Sequence, residues 1–371
     1  MRTVTPLLLA ANGVTTARSM SGSPEVLSLK KEIEDGQLVG PRIYSAGSVT
    51  DGPPPAYPGS RVVVTAKEAK QAVEQDKSNG YSAVKVLTRL TPSAYDALVR
   101  EAREHGMEVW GHVPDLVGLM QILSDRQKSV EHLYGYIQAL HREPVPAPRL
   151  LSSSDRYAAA QMVDMSKLPG IVDATVRAGT WNCPTLTQQQ NRSFPVEQAE
   201  QKLKEPRMRY LPPDLLKNWA ARSGKGSSVS KADLANRETF WSIGLEITKA
   251  LHRKGARLLI GTDTPNPLTV PGYSVHEELQ QFVLAGLTPF EAIAAGTRNA
   301  AEFLGQSADS GTVQVGKKAD LVLVDANPLA DVRNTTRRAG VMLRGKWFTA
   351  QQLSRHLDEK ASSFPSSSAR Q

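Results

Sequence analysis

Residues 65–113 read TAKEAKQAVEQDKSNGYSAVKVLTRLTPSAYDALVREAREHGMEVWGHV, and this stretch decides the predicted fold. It contains two helical segments, one opened by a capping box from Thr65 to Glu68 and one by Thr91 followed by a proline. Each ends near a glycine and leads into a short apolar run, AVKVLT or EVWGHV, which predicts a buried strand. Because helices and strands alternate, we expect an α/β fold with a parallel sheet.

The alternation extends on both sides of this stretch. The further candidate strands are VTTARS, RIYSAG, KSVEHL, TWNCPTL and RLLIGTD. Another capping box, from Thr288 to Glu291, opens a helix after the last of them. The repeated strand–helix unit predicts a (β/α)8 TIM-type barrel over residues 1–305, with its first strand missing.

The pattern changes beyond the predicted barrel. Short strands with turn glycines, in GTVQVGKKADLVLVDANP and AGVMLRGKWF, predict a small β-sandwich module over residues 306–350. A C-terminal helix and a serine-rich, disordered tail are expected over residues 351–371.

Two long polar segments, about residues 141–170 and 187–235, interrupt the barrel pattern. Each follows a predicted strand, so in a barrel both would project from the face on which active sites are built. They are therefore either lids and pocket walls or ordinary surface insertions, and the sequence leaves both alternatives open.

The composition excludes several classes of protein. No apolar run reaches the roughly 18 residues of a membrane helix, so we expect no membrane span. The formal charge of +8 is spread along the chain without a nucleic-acid-binding motif, so we expect no nucleic-acid partner. Cys183 is the single cysteine, which excludes an internal disulfide. The chain as written is expected to be cytoplasmic, or exported if a missing N-terminus carries a signal peptide.

Four polar residues occupy strand ends, where a core would favour apolar side chains. They are Lys85 in AVKVLT, His112 in EVWGHV, His132 in KSVEHL and Asp263 in RLLIGTD. Each comes from a different predicted strand, and the carboxyl ends of barrel strands converge at one mouth. We therefore expect the four side chains to lie close together.

Each of these residues has an ordinary explanation when it is taken alone. A strand histidine is commonly a hydrogen-bonded core residue, a lysine can extend to solvent, and an aspartate can cap the next helix. Together, however, two imidazoles and a carboxylate at one mouth are typical of a divalent metal site. A cation would also offset the cost of burying Asp263 at the end of an apolar run.

Three further residues are candidates for binding a substrate. Tyr134 and Tyr136 follow His132 and either orient a substrate or pack as core aromatics. His276 follows the loop after Asp263 and either reaches the pocket or lies at the start of a helix. Rival catalytic motifs, such as a G-x-S-x-G elbow or a phosphate-binding loop, do not occur in the sequence.

The motifs, taken in order, resemble the metal-dependent amidohydrolase superfamily, in its imidazolonepropionase-like and Xaa-Pro dipeptidase-like branch. The stretches that carry the resemblance are LLLAANGVTTARSM, AVKVLT, VWGHVPD, SVEHLYGY, LLIGTDTPNP, LTPFEAIAAGTRNAAEFLG and GTVQVGKKADLVLVDANP. The resemblance implies a distorted (β/α)8 barrel that holds one or two divalent metal ions, commonly zinc. It also implies that a metal-activated hydroxide hydrolyses a carbon–nitrogen bond in a small molecule, such as a non-peptide amide, a cyclic amide or a dipeptide.

The resemblance also implies roles for the four strand-end residues. His112 and His132 match the metal ligands of the fifth and sixth barrel strands of the superfamily. Lys85 matches a lysine that CO2 carbamylates in many members, where it bridges two metal ions. Asp263 matches the aspartate of the eighth strand, which is a metal ligand in many members and carries protons during the reaction.

One element of the superfamily pattern is absent. The first barrel strand of the superfamily carries an H-x-H pair of metal ligands, and no H-x-H occurs in these 371 residues. From the usual length of a first barrel unit and its sandwich strands, we expect that about 60 residues of the pattern are missing. A truncated, impaired or inactive scaffold is then the alternative to an enzyme, and the open barrel edge would favour a homo-oligomer.

Overall fold

A computed structural model describes residues 4–142, 149–224 and 229–364 of the chain. The predicted disordered tail lies outside the described residues from residue 365 onward. Short parts of the two predicted insertions, residues 143–148 and 225–228, also lie outside them.

Two separate sheets contain the strands. The strands of the larger sheet are β1 (Thr16–Ser19), β2 (Arg42–Asp51), β3 (Arg61–Val62), β4 (Ala83–Val86), β5 (Glu108–Gly111), β6 (Ser129–Glu131) and β7 (Trp181–Cys183). The strands of the smaller sheet are β8 (Leu321–Val324), β9 (Arg338–Leu343) and β10 (Lys346–Thr349).

Helices connect the strands and cover the larger sheet. In chain order they are α1 (Val4–Ala11), α2 (Pro24–Glu34), α3 (Ala66–Ser78), α4 (Pro92–Glu104), α5 (Leu119–Ser124), α6 (Tyr136–Ala139), α7 (Ser153–Ala159), α8 (Leu168–Ala178), α9 (Leu186–Ser193), α10 (Val196–Leu203), α11 (Pro213–Ser223), α12 (Lys231–Arg253), α13 (Tyr273–Leu284), α14 (Pro289–Ala295), α15 (Arg298–Phe303) and α16 (Ala350–Ser362). Within the described part of the chain, none of the helices has the length and apolar character needed to cross a membrane.

The larger sheet is parallel and confirms the predicted α/β, TIM-type architecture. Its strand order is β1-β2-β4-β5-β6-β7, and the short strand β3 also pairs with β2, on the side away from β4. Most sheet neighbours are also neighbours along the chain, as the strand–helix repeat of a barrel requires. The predicted strand RLLIGTD departs from this pattern, because it makes only one parallel bridge, between Asn182 of β7 and Leu258. No other described strand pairs with this segment, so it does not extend into a ladder.

The predicted helix starts are present. The side chain of Thr65 accepts a hydrogen bond from the backbone N–H of Glu68, whose carboxylate binds the N–H of Thr65 in return. Thr288 and Glu291 form the same capping box at α14, and Thr91 caps α4. Each cap satisfies backbone donors that the first helical turn would otherwise leave unpaired.

Aromatic side chains close the inside of the curved sheet. Trp110 of β5 and Trp181 of β7 are both buried, and their rings lie 5.1 and 5.8 Å from the ring of Phe303 in α15. Outside the sheet, aliphatic residues of α3, α4 and α8 pack against the strands in one continuous core. The polar strand-end residues therefore lie at the rim of a filled barrel interior.

The C-terminal module is an antiparallel sheet in the order β10-β9-β8. Its inner residues, among them Val341, Leu343 and Phe348, pack with α1 and α16 in a second apolar core. The sequence predicts a sandwich of two sheets here, whereas the described residues form a single sheet. Two helices, α1 and α16, cover it in place of a second sheet.

Candidate active site

Three of the four predicted strand-end residues lie at the carboxyl ends of strands, whereas Asp263 lies in a loop after the bridge at Leu258. Lys85 is inside β4, His112 directly follows β5, and His132 directly follows β6. The rings of His112 and His132 lie 4.9 Å apart, and Nε2 of His132 lies 3.9 Å from Oδ2 of Asp263. We call Lys85, His112, His132 and Asp263 the mouth cluster.

Two residues of the mouth cluster have an unusual backbone conformation. His132 has φ of 61° and Asp263 has φ of 52°, and Thr185, which contacts His132, has φ of 53°. Residues other than glycine seldom adopt the left-handed region, and doing so costs about 1 kcal/mol or more. Such strain persists where surrounding contacts enforce it, and it is concentrated at functional sites.

A hydrogen bond fixes the ring of His132. Its Nδ1 and the hydroxyl of Thr185 share a hydrogen bond of 2.7 Å, and both side chains are buried. The other ring nitrogen, Nε2, is thereby directed toward Asp263. A partner on one imidazole nitrogen that leaves the second available is the arrangement seen in histidines that bind metals or move protons.

The electrostatics of the mouth cluster favour neutral imidazoles. Burial lowers the pKa of His112 well below its ordinary value, and the charge of Lys85 lowers it further. Burial also lowers the pKa of His132, although the neighbouring Asp263 opposes the shift. The pKa of Lys85 itself falls to about 8, again chiefly through burial. Neutral imidazoles carry the free electron pair that a metal ligand or a base needs.

The chemistry of the mouth cluster fits a divalent cation, but its grouping is incomplete. Nδ1 of His112 is buried and has no hydrogen-bond partner in the part of the chain that the structure describes, which is costly for a polar atom unless a ligand uses it. Two neutral imidazoles beside a carboxylate are a suitable donor set for zinc. Among the residues that the structure describes, however, no three His, Cys, Asp or Glu side chains are grouped closely enough to hold an ion together.

Asp263 is held by amides and is partly open to solvent. Its Oδ2 accepts hydrogen bonds of 3.0 Å from Gln188 and 2.7 Å from Asn266. The side chain is 38% exposed, so the expectation of a buried carboxylate is wrong. Asp263 lies in the loop between the bridge at Leu258 and α13, and this loop brings the carboxylate to the surface.

A second polar group, which the sequence did not predict, lies inside the curved sheet. Arg18 of β1 donates to Glu131 at 2.8 Å and to Ser129 at 3.1 Å, both in β6. Its guanidinium lies over the rings of Trp110 and Phe303, at 5.3 and 4.9 Å. The position of Arg18 in the strand VTTARS was visible in the sequence, but its partners were not, because β1 and β6 are far apart in the chain.

The three predicted substrate-binding residues have different surroundings. The ring of Tyr134 lies 5.2 Å from the rings of both His112 and His132, so it adjoins the mouth cluster. Tyr136 is buried, and its hydroxyl bonds to Asn182 and the Thr175 hydroxyl at 2.7 and 3.0 Å, which is a packing role.

His276 belongs to another network. Its Nδ1 lies 2.9 Å from the hydroxyl of Thr335, and its Nε2 lies 2.9 Å from the guanidinium of Arg338. It lines a cavity of about 240 Å³ together with Asn12 and Tyr273, and no residue of the mouth cluster lines that cavity. These contacts favour the helix-entry alternative for His276 over a substrate-binding role.

The two predicted insertions supply arginines that the sequence reasoning did not select. Arg156 of α7 lies over the ring of Tyr134 at 5.1 Å, and Arg192 of α9 bonds to Asn266, which in turn bonds to Asp263. Their place in the sequence was the one indication of this role, because both insertions follow predicted strands and would project from the mouth face of a barrel.

Comparisons with known proteins agree with this architecture. The model of the amidohydrolase family matches residues 8–348. Ochratoxinase of Aspergillus niger is 23% identical over 364 residues, which cover 87% of this chain and 62% of the relative. Imidazolonepropionase of Pseudomonas savastanoi pv. phaseolicola is 44% identical over 85 residues, or 23% of this chain and 21% of the relative. The chain thus spans about 62% of the length of the ochratoxinase it matches.

Solved structures share the fold. Bottromycin amidohydrolase superposes with a TM-score of 0.77 at 26% identity, covering 97% of this chain and 76% of that structure. A Xaa-Pro dipeptidase with bound methionine superposes with a TM-score of 0.65 at 19% identity, covering 93% and 77%. At that lower identity the likeness concerns the fold alone.

Proposed function

The chain belongs to the amidohydrolase family, and we propose that it hydrolyses an amide carbon–nitrogen bond in a small molecule at the mouth cluster. The observation that carries the proposal is the convergence of His112, His132 and Asp263 at the ends of separate segments. Two of these residues, His132 and Asp263, are held in left-handed backbone conformations, as functional residues often are.

In this proposal Asp263 carries the proton. Its carboxylate is partly exposed and is held by the amides of Gln188 and Asn266, so one oxygen can meet a water molecule beside the substrate. Asp263 takes a proton as the water oxygen bonds to the amide carbon. It then gives that proton to the nitrogen as the carbon–nitrogen bond breaks, so that a carboxylic acid and an amine leave.

We further propose that His112 and His132 hold a divalent cation, zinc in the first instance. The unpartnered Nδ1 of His112 and the fixed ring of His132 support this assignment. The chemistry that a bound cation supplies in such a site is polarisation of the scissile carbonyl and a lower pKa for bound water. Lys85, buried beside both imidazoles, is the residue that CO2 would carbamylate as an additional ligand.

The names of the similar proteins outline the range of substrates. Ochratoxinase is named for ochratoxin, and the Xaa-Pro dipeptidase is named for dipeptides. Imidazolonepropionase is named for a cyclic compound. We therefore keep cyclic amides, non-peptide amides and dipeptides as the candidate substrates.

A second candidate function is a non-catalytic scaffold. Two observations favour it: the sequence contains no H-x-H pair, and no three acidic, histidine or cysteine donors are grouped for an ion in the described ranges. Such a chain would keep the family fold and lack turnover.

The test is amide hydrolysis by the purified chain supplied with zinc, compared with the variant Asp263→Asn. Asparagine keeps the size of the side chain and removes the proton carrier, so we expect turnover to fall at least about 100-fold. His276→Gln is the matched control, because His276 belongs to a different hydrogen-bond network, and it should keep most of the activity. Equal rates for the wild type and Asp263→Asn would contradict the proposed role, and no turnover of any amide would favour the scaffold.

A further inference from the structure

Two buried or half-buried arginines adjoin the mouth cluster, and we propose that these residues, Arg156 and Arg192, bind a free carboxylate on the substrate. This inference rests on the proposed function and narrows its substrate class to amides that carry an acid group, such as N-acyl amino acids and dipeptides with a free C-terminus. We call Arg156, Arg192 and Arg237 the arginine cluster.

Arg156 has a hydrogen-bonding nitrogen that nothing uses. The residue is 6% exposed, and its Nη2 donates to Asp115 at 2.7 Å, whereas its Nη1 is buried and has no hydrogen-bond partner among the described residues. The guanidinium lies over Tyr134, whose ring adjoins both histidines of the mouth cluster. A buried donor without a partner is costly, and an anion at this place would satisfy it.

Arg192 approaches the mouth cluster from the opposite insertion. Its Nη1 donates to the hydroxyl of Tyr157 at 2.9 Å and its Nη2 donates to Asn266 at 3.1 Å. Both partners are neutral, and Asn266 also holds Asp263. Asp263 is close enough to favour the charged form of Arg192, but no carboxylate lies within ion-pair distance of Arg192 in the described part of the chain.

Arg237 adds positive charge behind these two residues. Its guanidinium lies 5.3 Å from the ring of Tyr157, and its Nη1 donates to the backbone carbonyl of Arg192. Its buried Nε has no hydrogen-bond partner within the described ranges. Among described residues, Asp115 is the one carboxylate that forms an ion pair with the arginine cluster. Arg192 and Arg237 therefore have no ion-pair partner among the described residues, and a guanidinium fork matches a carboxylate in shape and charge.

Buried aromatic rings pack next to the arginine cluster. Phe240 contacts both tyrosines, with ring centroids 6.3 Å from Tyr134 and 5.3 Å from Tyr157. An apolar group beside the acid group would pack on these rings, while the carboxylate reaches the arginines. The geometry points to a substrate with an apolar side chain and a carboxylate close to the scissile amide.

The test uses 3-phenylpropionate, which has the acid and the ring but no amide to hydrolyse, and its neutral counterpart 3-phenylpropanol. Binding of each to the full chain is measured by calorimetry, with and without zinc. The wild type should bind the acid at least tenfold more tightly than the alcohol. Arg156→Gln and Arg192→Gln should each weaken binding of the acid about tenfold and leave binding of the alcohol unchanged. Arg192→Lys keeps the positive charge and loses the forked guanidinium. Its affinity for the acid should therefore lie between those of the wild type and Arg192→Gln.

The exposed Arg177 supplies the matched control, and Arg177→Gln should bind the acid like the wild type. Thermal unfolding of each variant establishes that it is folded before binding is compared. Equal binding of acid and alcohol by the wild type, or an acid affinity that neither arginine variant changes, would overturn the inference. If the arginine variants lose the acid but the wild type hydrolyses no amide, the carboxylate site stands and the proposed function fails. If neutral amides are hydrolysed as fast as acidic ones, the function stands and the carboxylate site fails.

Discussion

Two histidine sites in this molecule differ in how completely their nitrogens are paired. In the mouth cluster, Nδ1 of His112 is buried without a partner, and His132 uses one nitrogen while the other faces Asp263 at 3.9 Å. At the edge of the C-terminal module, both nitrogens of His276 are engaged, one by Thr335 and one by Arg338. Both sites are largely buried, so burial alone does not distinguish them.

The difference indicates which histidines hold the fold together and which are available for a ligand. Arg338 also donates to Asn12 and to the backbone carbonyl of Ala11, so the network of His276 ties α1 to the C-terminal sheet. Both ring nitrogens of His276 are thus matched by other groups of the chain. At the mouth cluster, ring nitrogens of His112 and His132 remain available for hydrogen bonds or ligands. This is expected when a substrate or an ion completes the site.

The largest effect that we expect is a pH dependence of the free energy of unfolding, caused by His276. Burial and the charge of Arg338 lower the pKa of His276 to about 3, so the folded chain keeps it neutral. The unfolded chain binds a proton at its ordinary pKa, near 6.5, and stability is therefore lost as the pH falls below that value. Between about pH 6.5 and pH 5 the free energy of unfolding should decrease by about 2 kcal/mol from this residue.

Urea unfolding of the wild type and of His276→Gln at both pH values measures this contribution. The variant should lose less stability on acidification, by about the same 2 kcal/mol, because glutamine does not titrate in this range. Identical pH dependence in the two proteins would break the comparison, because the network of His276 would then not govern its protonation.

A smaller effect is expected at the mouth cluster. Replacing His112 by leucine removes a buried nitrogen that has no hydrogen-bond partner among the described residues. It puts an apolar side chain of similar size in the same place. The free energy of unfolding should stay the same or rise by up to about 1 kcal/mol, while amide hydrolysis is lost. Equilibrium unfolding and turnover are measured on the same preparation. A loss of stability larger than about 1 kcal/mol would mean that His112 is a structural residue like His276.

The helix starts and most strands could be predicted from the sequence because they depend on residues that are close together in the chain. Capping residues such as Thr65 and Thr288 form hydrogen bonds with residues three positions away, and the strand AVKVLT is buried along β4. The prediction of a strand over RLLIGTD was wrong because a strand needs neighbours to pair with. The apolar character of this segment could not show that, among the described residues, Asn182 alone forms a bridge with it.

The site was predictable only where chain position decides it. Lys85, His112 and His132 end adjacent strands, and parallel strands bring their carboxyl ends together. Arg156 and Arg192 reach the same place through helices of the insertions, whose packing follows from tertiary contacts and has no local pattern. His276 follows Asp263 closely in sequence, yet α13 carries it to the C-terminal module.

The central claim is that the histidines of the mouth cluster bind a ligand from outside the chain. Measuring zinc binding tests this claim most directly. Equilibrium dialysis would compare the full chain with the double variant His112→Ala, His132→Ala and with His276→Gln. We predict that the wild type and His276→Gln bind about one ion per chain and that the double variant binds none. Equal zinc binding by all three proteins, or none by a folded wild type, would contradict the claim.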